Sequence, residues 1–285
     1  MSSTASPEAK GRAQALAQAY VDACLLELRA LKPGNVHRHA AGHGMTVDDF
    51  ERSARVSAAP LAASGRPVGE RILKAIAATQ AAVSCNTNLG IVLLAAPLMR
   101  AAETSRRGHL REALAAALAG LTVADAATTY EAIRMAAPAG LGRAAEQDVA
   151  SPPSIDLRQA MALAAERDRI ARQYAEGYRD VYEIGVARLR DARRVKMSDE
   201  MAVTLTYMSF LAAFPDSHLL RKHGAAVAEE VRREAATLVA RSEYGDTALL
   251  AFDGKLKRQG LNPGTSADLT VASLLALACE DMLRT

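Results

Sequence analysis

Residues 107–120 read Arg-Gly-His-Leu-Arg-Glu-Ala-Leu-Ala-Ala-Ala-Leu-Ala-Gly and are the clearest guide to the fold class of this chain. Leu110, Leu114, Leu118 and Leu121 recur at helical spacing, so they form one apolar stripe on an Ala/Leu helix. The same composition extends over all 285 residues, of which 50% are hydrophobic but only 4% aromatic, with no Trp. Ala and Leu favour helices, whereas the β-branched and aromatic residues that favour strands are scarce. The sequence therefore predicts an all-α protein.

Gly and Pro divide the chain into predicted helices and loops. A helix that starts near Pro7 should end before Pro33, and the Gly- and Pro-rich stretch 138–153 is interpreted as an ordered crossing loop. Further helices are predicted after Thr46 and at 66–84, 89–103, 107–120, 123–136, 156–192, 198–213, 218–241, 245–259 and 266–283. We predict a bundle of roughly ten helices. Residues 1–10 are expected to be a disordered N-terminal lead, and residues 11–285 a single all-α catalytic domain.

Charge and cysteine usage argue against several classes of protein. The 35 basic and 32 acidic residues are well mixed and give a net charge of +3, without the polybasic tract typical of nucleic-acid or acidic-membrane binding. Three cysteines far apart form no zinc or disulfide pattern. The N-terminus has no apolar leader, and the longest apolar run, 91–99, is too short to span a bilayer. We expect a cytoplasmic protein that binds neither nucleic acid nor membrane.

Four short polar motifs interrupt the Ala/Leu helices. They read Lys32-Pro33-Gly34-Asn35-Val36-His37-Arg38-His39, Asn86-Thr87-Asn88-Leu89-Gly90, Asp216-Ser217-His218-Leu219-Leu220-Arg221-Lys222-His223-Gly224 and Asn262-Pro263-Gly264-Thr265-Ser266-Ala267-Asp268. Each places Gly or Pro, which fix unusual backbone geometry, beside groups that bind phosphate, ribose or metal. The four motifs together predict one composite site and favour an enzyme.

The chemistry of these motifs suits an anionic ligand. Lys32, Arg38 and nearby histidines match a polyphosphate, and the ordinary alternative is a solvated turn. His218 and Lys222 are four residues apart and share one helix face beside Asp216, where Mg²⁺–phosphate binding and proton transfer are feasible. The second and fourth motifs also fit plain helix caps. The charged stretches 134–148 and 166–169 are interpreted as solvated faces.

In this order, the motifs resemble those of the triphosphoribosyl-dephospho-CoA synthase family over roughly residues 15–283. Members of that family carry a PKPG-type loop, an NTHKG-type turn, a D-x-x-LLKRGG-like helix start and a PGGSADLLA-like motif. The resemblance implies an all-α enzyme in which the ribose 2′-hydroxyl of dephospho-CoA attacks C1′ of ATP and expels adenine. It also implies ATP as a substrate together with Mg²⁺.

By this resemblance and by chemistry we assign roles to the motif residues. Proton transfer and catalysis are assigned to His218, His37 and Asp216; ligand binding to Lys32, Asn35, Arg38, Asn86, Asn88, Lys222, Gly264 and Ser266; and metal binding to Asp216 and Asp268. Replacing Asp216 by Asn is expected to abolish adenine release and to leave the fold intact.

One departure from the family pattern opens an alternative. The NTHKG-type turn has become Asn86-Thr87-Asn88-Leu89-Gly90, so a histidine and a lysine are lost. A related transferase or ligase with another donor or acceptor, in tetrahydromethanopterin or methylofuran biosynthesis, is the second hypothesis, and a non-catalytic helical binding protein is the third. Nucleotide and small-molecule substrates are the expected partners. A homodimer stays open, since Ala-rich helices can also pack between subunits.

Overall fold

The computed structural model describes residues 6–37, 46–138, 140–241 and 246–284, and within these ranges the chain folds into α-helices without a β-strand. The helices are α1 (Pro7–Arg29), α2 (Val47–Leu61), α3 (Val68–Val83), α4 (Leu89–Thr104), α5 (Leu110–Ala119), α6 (Val123–Ala136), α7 (Leu157–Ala164), α8 (Arg169–Glu176), a π-helical segment (Val181–Val186), α9 (Ala187–Arg194), α10 (Asp199–Ala213), α11 (Ser217–His223), α12 (Ala225–Ala240), α13 (Asp246–Arg258) and α14 (Gly264–Met282). The all-α prediction is confirmed. The described ranges contain fourteen α-helices rather than roughly ten.

The extra helices come from two long stretches that the sequence pattern left continuous. Within 156–192, Asp168 caps the start of α8, and Gly177 ends that helix in the left-handed conformation with φ of 66°. Within 218–241, Gly224 has φ of 86° and separates α11 from α12. Glycine tolerates positive φ without steric cost, so both breaks follow from local sequence.

The predicted N-terminal lead needs a correction. Ser6 accepts a hydrogen bond from the backbone of Ala9, and Pro7 takes the first helical position, so residues 7–10 are the first turn of α1. Capping and the fixed φ of proline favour this early start. Residues 1–5 lie outside the described part of the chain.

Two apolar helices, α4 and α14, form the centre of the core. Nearly all of α4 is buried, and α14 packs against α1, α4, α10 and the π-helical segment. A second apolar cluster joins α10, α11, α12 and α13 around Tyr207, Leu211 and Phe252. The N-terminal ends of α4, α8 and α14 lie on one side of this core, beside the loop that follows α1.

Pro97 interrupts the hydrogen-bond ladder of α4, and two tyrosines compensate. Proline has no N–H, so the carbonyl of Leu93 loses its partner in the helix. The hydroxyl of Tyr174 donates to that carbonyl at 2.6 Å, and the hydroxyl of Tyr178 donates to the carbonyl of Leu94 at 2.9 Å. These bonds join α8 and its C-terminal turn to α4, which carries part of the site.

Side-chain contacts order the stretch 138–153, apart from residue 139, which is not described. Asp148 accepts from the backbone of Ala144 at 2.6 Å and of Ala150 at 2.8 Å, and the hydroxyl of Tyr130 donates to the carbonyl of Gln147 at 2.8 Å. The expected ordered crossing loop is therefore present. Among the described helices, none taken singly is long and apolar enough to cross a membrane.

Candidate active site

A cavity of about 590 Å³ opens where the four polar motifs meet. Each motif contributes to its wall: Asn35 from the first, Asn86, Leu89 and Gly90 from the second, His218 and Lys222 from the third, and Gly264 and Asp268 from the fourth. The rest of the wall comes mainly from α1, α2, α6, α7, α8 and the crossing loop. The volume lies within the range of small-molecule sites in proteins, about 300–1,000 Å³.

The first motif packs its lysine inward. Lys32 is buried and forms an ion pair and hydrogen bond with Glu27 of α1, and its Nζ lies 3.3 Å from Oδ1 of Asn35. Burial lowers the pKa of Lys32 below its ordinary value, although the Glu27 carboxylate opposes that shift. Glu27, not Lys32, lines the cavity. The Lys32 ammonium is thus already paired inside the protein, and its expected contact with triphosphate stays a prediction.

Backbone and amide contacts hold the rest of the loop against α13 and the start of α14. The N–H of Gly34 donates to Asp253 at 2.8 Å, and Nδ2 of Asn35 donates to Oδ1 of Asn262 at 2.8 Å. Gly34 has φ of 82°, and a Cβ there would lie 2.8 Å from the carbonyl oxygen of Leu261. This position therefore requires glycine.

His37 packs against α13 rather than the cavity wall. Its imidazole is fully buried, and its Nε2 is 3.3 Å from Asp253 and 3.0 Å from Nζ of Lys257. Burial lowers the pKa of His37, and the neighbouring Asp253 carboxylate opposes the shift. His37 does not line the cavity, and its contacts favour support of the loop, so its expected role in proton transfer stays a prediction. Arg38 falls outside the described residues.

The two amide side chains of the second motif, Asn86 and Asn88, lie in different environments. Asn86 lines the cavity, and its Oδ1 accepts from the N–H of Leu89 at 3.2 Å, so it caps α4. Asn88 is buried beside Tyr20 and Phe50, its Nδ2 contacts Ser57 at 3.3 Å, and its Oδ1 has no hydrogen bond to a described residue. Of the two, Asn86 lines the main cavity and Asn88 does not, so the expected ligand contact of Asn88 stays a prediction.

Gly90 lets a carboxylate lie over the start of α4. A Cβ at this position would collide with Asp268 and lie 2.7 Å from Ile170. Asp268 is half-buried, lines the cavity and makes no hydrogen bond or ion pair to the part of the chain that is described. Burial raises the pKa of Asp268 well above its ordinary value, the Asp216 and Glu27 carboxylates raise it further, and Arg221 opposes this.

Asp216 joins two helix N-termini and is fully buried. Its Oδ1 accepts from the N–H groups of His218 at 2.9 Å and Leu219 at 3.3 Å. Its Oδ2 accepts from the N–H and the hydroxyl of Ser266, both at 2.8 Å. Burial raises the pKa of Asp216, and these four hydrogen bonds oppose the shift.

Neither Asp216 nor Ser266 lines the cavity, and the Asp216 carboxylate accepts from four donors. This geometry favours a structural role for both residues, and their expected roles in catalysis, metal binding and ligand binding stay predictions. The anion at the N-terminus of α14 is the side chain of Asp216 itself.

The remaining residues of the third and fourth motifs do face the cavity. His218 and Lys222 lie one turn apart on α11, and both line the wall. Gly264 brings the start of α14 against His218, because a Cβ there would lie 2.6 Å from the imidazole Nδ1. The helix face predicted from the i, i+4 spacing is therefore directed at the cavity.

Several cavity residues were missed from the sequence. Glu27 sits within an ordinary helix pattern, and Arg143, Arg167 and Asp168 belong to stretches interpreted as solvated faces, although all four line the wall. Arg221 was quoted within a motif but given no role. The one sequence signal was the density of charge in 134–148 and 166–169, which does not by itself separate a cavity wall from a solvated surface.

The fit of Mg²⁺ to this wall rests on Asp268. No group of three His, Cys, Asp or Glu side chains suitable for a metal occurs within the described ranges. Mg²⁺ is commonly held by one or two carboxylates together with substrate phosphates. Asp268, with no protein partner in the described chain, fits that mode, whereas Asp216 does not.

Comparison with known proteins defines the class and then the family. The described chain is an all-α fold in which cationic and carboxylate side chains line a cavity of small-molecule size. The family model described as ATP:dephospho-CoA triphosphoribosyl transferase (CitG) matches residues 13–284, and the chain belongs to that family. It is therefore a triphosphoribosyl-dephospho-CoA synthase-like transferase.

A solved structure supports the same assignment. A crystal structure from Archaeoglobus fulgidus, provisionally assigned as a triphosphoribosyl-dephospho-CoA synthase, has a TM-score of 0.64 and 28% sequence identity to this chain. The match covers 79% of this chain and 97% of that one. The comparison with curated proteins finds no significant match.

Proposed function

We propose that this cavity transfers the triphosphoribosyl group of ATP to the ribose 2′-hydroxyl of dephospho-CoA and releases adenine. One observation carries the proposal: motifs spread from residue 35 to residue 268 meet at a single cavity of about 590 Å³. Membership of the family supports this reaction, and the charged and amide side chains on the wall are compatible with it. The bond between C1′ and the adenine nitrogen breaks, a bond between C1′ and the acceptor oxygen forms, and the 2′-hydroxyl loses a proton while the departing adenine gains one.

The phosphate end of the donor is assigned to the α11 side of the cavity. Lys222 is a cation on the wall, and His218 lies one turn before it. A point charge on a flexible stem suits a triphosphate, which carries several anionic oxygens. Asn35 and Asn86 supply amides for the ribose or the base, because both line the wall.

Asp268 is assigned to the reacting centre. In its ionised form, the Asp268 carboxylate would stabilise the positive charge that develops at C1′ as adenine departs. Because Gly90 has no Cβ, this carboxylate can approach the start of α4 closely. His218 is the proton-transfer candidate, since it is the one described histidine on the cavity wall.

Mg²⁺ enters this proposal through Asp268 and the phosphates. When bound with ATP, the ion would neutralise phosphate charge and orient the triphosphate. Asp268 is the residue that would hold it from the protein side. Glu27 lies near Asp268 but is paired with Lys32, which reduces its availability.

A second candidate function is favoured by Leu89. This residue lines the cavity where the family turn carries lysine, and Phe50, Ile133 and Leu157 add apolar surface to the same wall. An apolar wall without that lysine suits an acceptor or donor with a less charged group at this point. A related transferase or ligase on a one-carbon cofactor intermediate is therefore kept as the alternative.

The test is release of adenine from Mg²⁺·ATP, with and without dephospho-CoA, followed by chromatography. Adenine that appears only with dephospho-CoA supports the proposal. His218→Gln should reduce the rate by roughly 100-fold or more if His218 transfers the proton. His109→Gln is the matched control, because His109 is exposed and does not line the cavity.

The opposite outcome is equally informative. If folded wild-type protein releases no adenine with either mixture, dephospho-CoA or ATP is not its substrate. Leu89→Lys then separates the explanations: activity gained with ATP and dephospho-CoA would show that the lost lysine changed the substrate.

A further inference from the structure

Asp168 and Arg221 form an ion pair on the cavity wall that joins two helices. Nη1 of Arg221 in α11 donates to Oδ2 of Asp168 at 2.7 Å. Both residues line the cavity, and their side chains are about one-quarter exposed, at 24% and 25%. An arginine at a cavity wall is a candidate to bind an anionic group, because its planar guanidinium presents five donors in a fixed arrangement.

The carboxylate of Asp168 is fixed by its own helix. Its Oδ1 caps α8 by accepting from the N–H groups of Ile170 at 2.8 Å and Ala171 at 3.2 Å. This leaves Oδ2 directed at Arg221. Asp168 thus uses one oxygen for the fold and the other for the arginine, and it has little freedom to move away.

Two further contacts lock α8 against the start of α11. The N–H of Arg169 donates to the hydroxyl of Ser217 at 2.9 Å, and the Arg169 guanidinium lies 4.0 Å from the ring centre of Phe214. The positions of Asp168 and Arg221 are therefore set by a scaffold that does not depend on their own ion pair. A guanidinium held in this way loses less freedom when it binds a ligand.

The guanidinium of Arg221 is only partly used by the protein. Nη1 is bonded to Asp168, whereas Nη2 makes no hydrogen bond to any residue in the described ranges, and the buried Nε has no partner there either. Lys222, the next residue, also lines the cavity. A carboxylate on one side of a guanidinium leaves donors on its other side for a phosphoryl group.

We propose that Arg221 binds a phosphoryl group of the donor in this cavity and that Asp168 is the positioning residue that orients its guanidinium. The proposal rests on the proposed function, since it requires a phosphate-bearing donor. This role differs from that of Lys222. An oriented guanidinium can pair two N–H groups with two phosphoryl oxygens, whereas the flexible ammonium of lysine provides only a positive charge.

The test uses substitutions that separate capping from orientation. Asp168→Asn keeps an oxygen that caps α8 and removes the charge that holds Arg221, since Asn and Asp cap helices about equally well. Asp156→Asn is the matched control: Asp156 caps α7 through Gln159 at 2.9 Å and does not line the cavity. Arg221→Met removes the guanidinium, and Arg221→Lys keeps the charge without the fork.

Binding of ATP and of inorganic triphosphate is measured by calorimetry, together with kcat and KM for adenine release. We expect Arg221→Met to raise Kd for triphosphate about 10- to 100-fold and Asp168→Asn to raise it roughly 5- to 10-fold. Arg221→Lys should fall between wild type and Arg221→Met. In Asp168→Asn the change should appear in KM with kcat nearly constant, and Asp156→Asn should match wild type. A variant that combines Asp168→Asn with Arg221→Met should bind triphosphate no more weakly than Arg221→Met alone, because Asp168 acts through Arg221.

The binding and turnover measurements separate this inference from the proposed function. If wild type binds triphosphate but releases no adenine, the function fails, and the pattern of Kd values still decides the inference. Equal triphosphate affinity in wild type, Asp168→Asn and Arg221→Met would overturn it. Additive losses in the double variant would overturn the positioning role of Asp168.

Discussion

Asp216→Ala should unfold the protein at a much lower temperature, and this prediction separates a structural role from a catalytic one. The buried carboxylate accepts four hydrogen bonds, three from backbone N–H groups and one from the hydroxyl of Ser266. These donors belong to the N-terminal turns of α11 and α14. The methyl group of alanine can replace none of the bonds, and the site is closed to water because Asp216 has no exposed surface.

The expected loss follows from those contacts. A buried donor left without an acceptor costs about 1–3 kcal/mol, and part of that cost is recovered when the structure relaxes. We expect a total of about 3–5 kcal/mol, at the upper end of single substitutions. At about 2–4 °C per kcal/mol, the Tm should fall by roughly 6–20 °C. Asp216→Asn should lose less, because its oxygen can still cap α11 while its NH₂ group faces the N–H of Ser266.

The assay is thermal and urea unfolding, with adenine release measured at a temperature where the variants are folded. Asp156→Ala serves as the control, since Asp156 caps one exposed helix and its loss should cost about 1 kcal/mol. Substantial turnover by the folded variant is expected. If Asp216→Ala unfolds at the same temperature and urea concentration as wild type but releases no adenine, the structural explanation is refuted. That result would instead support a catalytic role for Asp216.

Three further substitutions test other parts of the structure. Gly90→Ala should abolish or strongly reduce adenine release, because the added Cβ displaces Asp268. If nothing obstructed that Cβ, the same substitution would stabilise the helix by up to about 1 kcal/mol. An active and stabilised variant would therefore contradict the geometry. Tyr174→Phe should lower the free energy of unfolding by about 1–3 kcal/mol, because the carbonyl of Leu93 loses its donor; unchanged urea unfolding would show that this bond contributes nothing. Burial alone would raise the pKa of Asp253. Hydrogen bonds from the His37 imidazole, the Gly34 N–H and the Lys257 ammonium outweigh that effect and lower the pKa below the ordinary 3.8. The ionised form of Asp253 therefore stabilises the fold. Asp253→Asn should therefore lower the Tm near neutral pH, and its difference from wild type should shrink as the pH falls below about 4; a constant difference across that range would argue against the ionic contribution.

The sequence predicted the helical class and most helix positions because those depend on local composition and period. It failed inside 156–192 and 218–241, where the apolar pattern continues through Gly177 and Gly224. Glycine within a helical pattern is compatible with either a continuing helix or a left-handed end, and tertiary packing decides between them. Those two breaks matter for function, since they shorten α8 and α11, the helices that carry Asp168 and Arg221.

In the candidate site, too, the local sequence does not determine the role of a single side chain. Asp168 and Asp216 both cap the first turn of a short helix, and both precede a Ser or Arg that bonds between the two helices. In sequence they look alike, and Asp216 is the stronger candidate because a family motif surrounds it.

The two aspartates differ in the group that contacts their second carboxylate oxygen. For Asp216 it is the N-terminus of α14, which fills every lone pair and closes the site to ligand. For Asp168 it is an arginine on the wall of a cavity. That distinction depends on residues about 50 positions away in each case, so no local pattern contains it, and a capping aspartate becomes a candidate functional residue only when the fold places a cavity beside it.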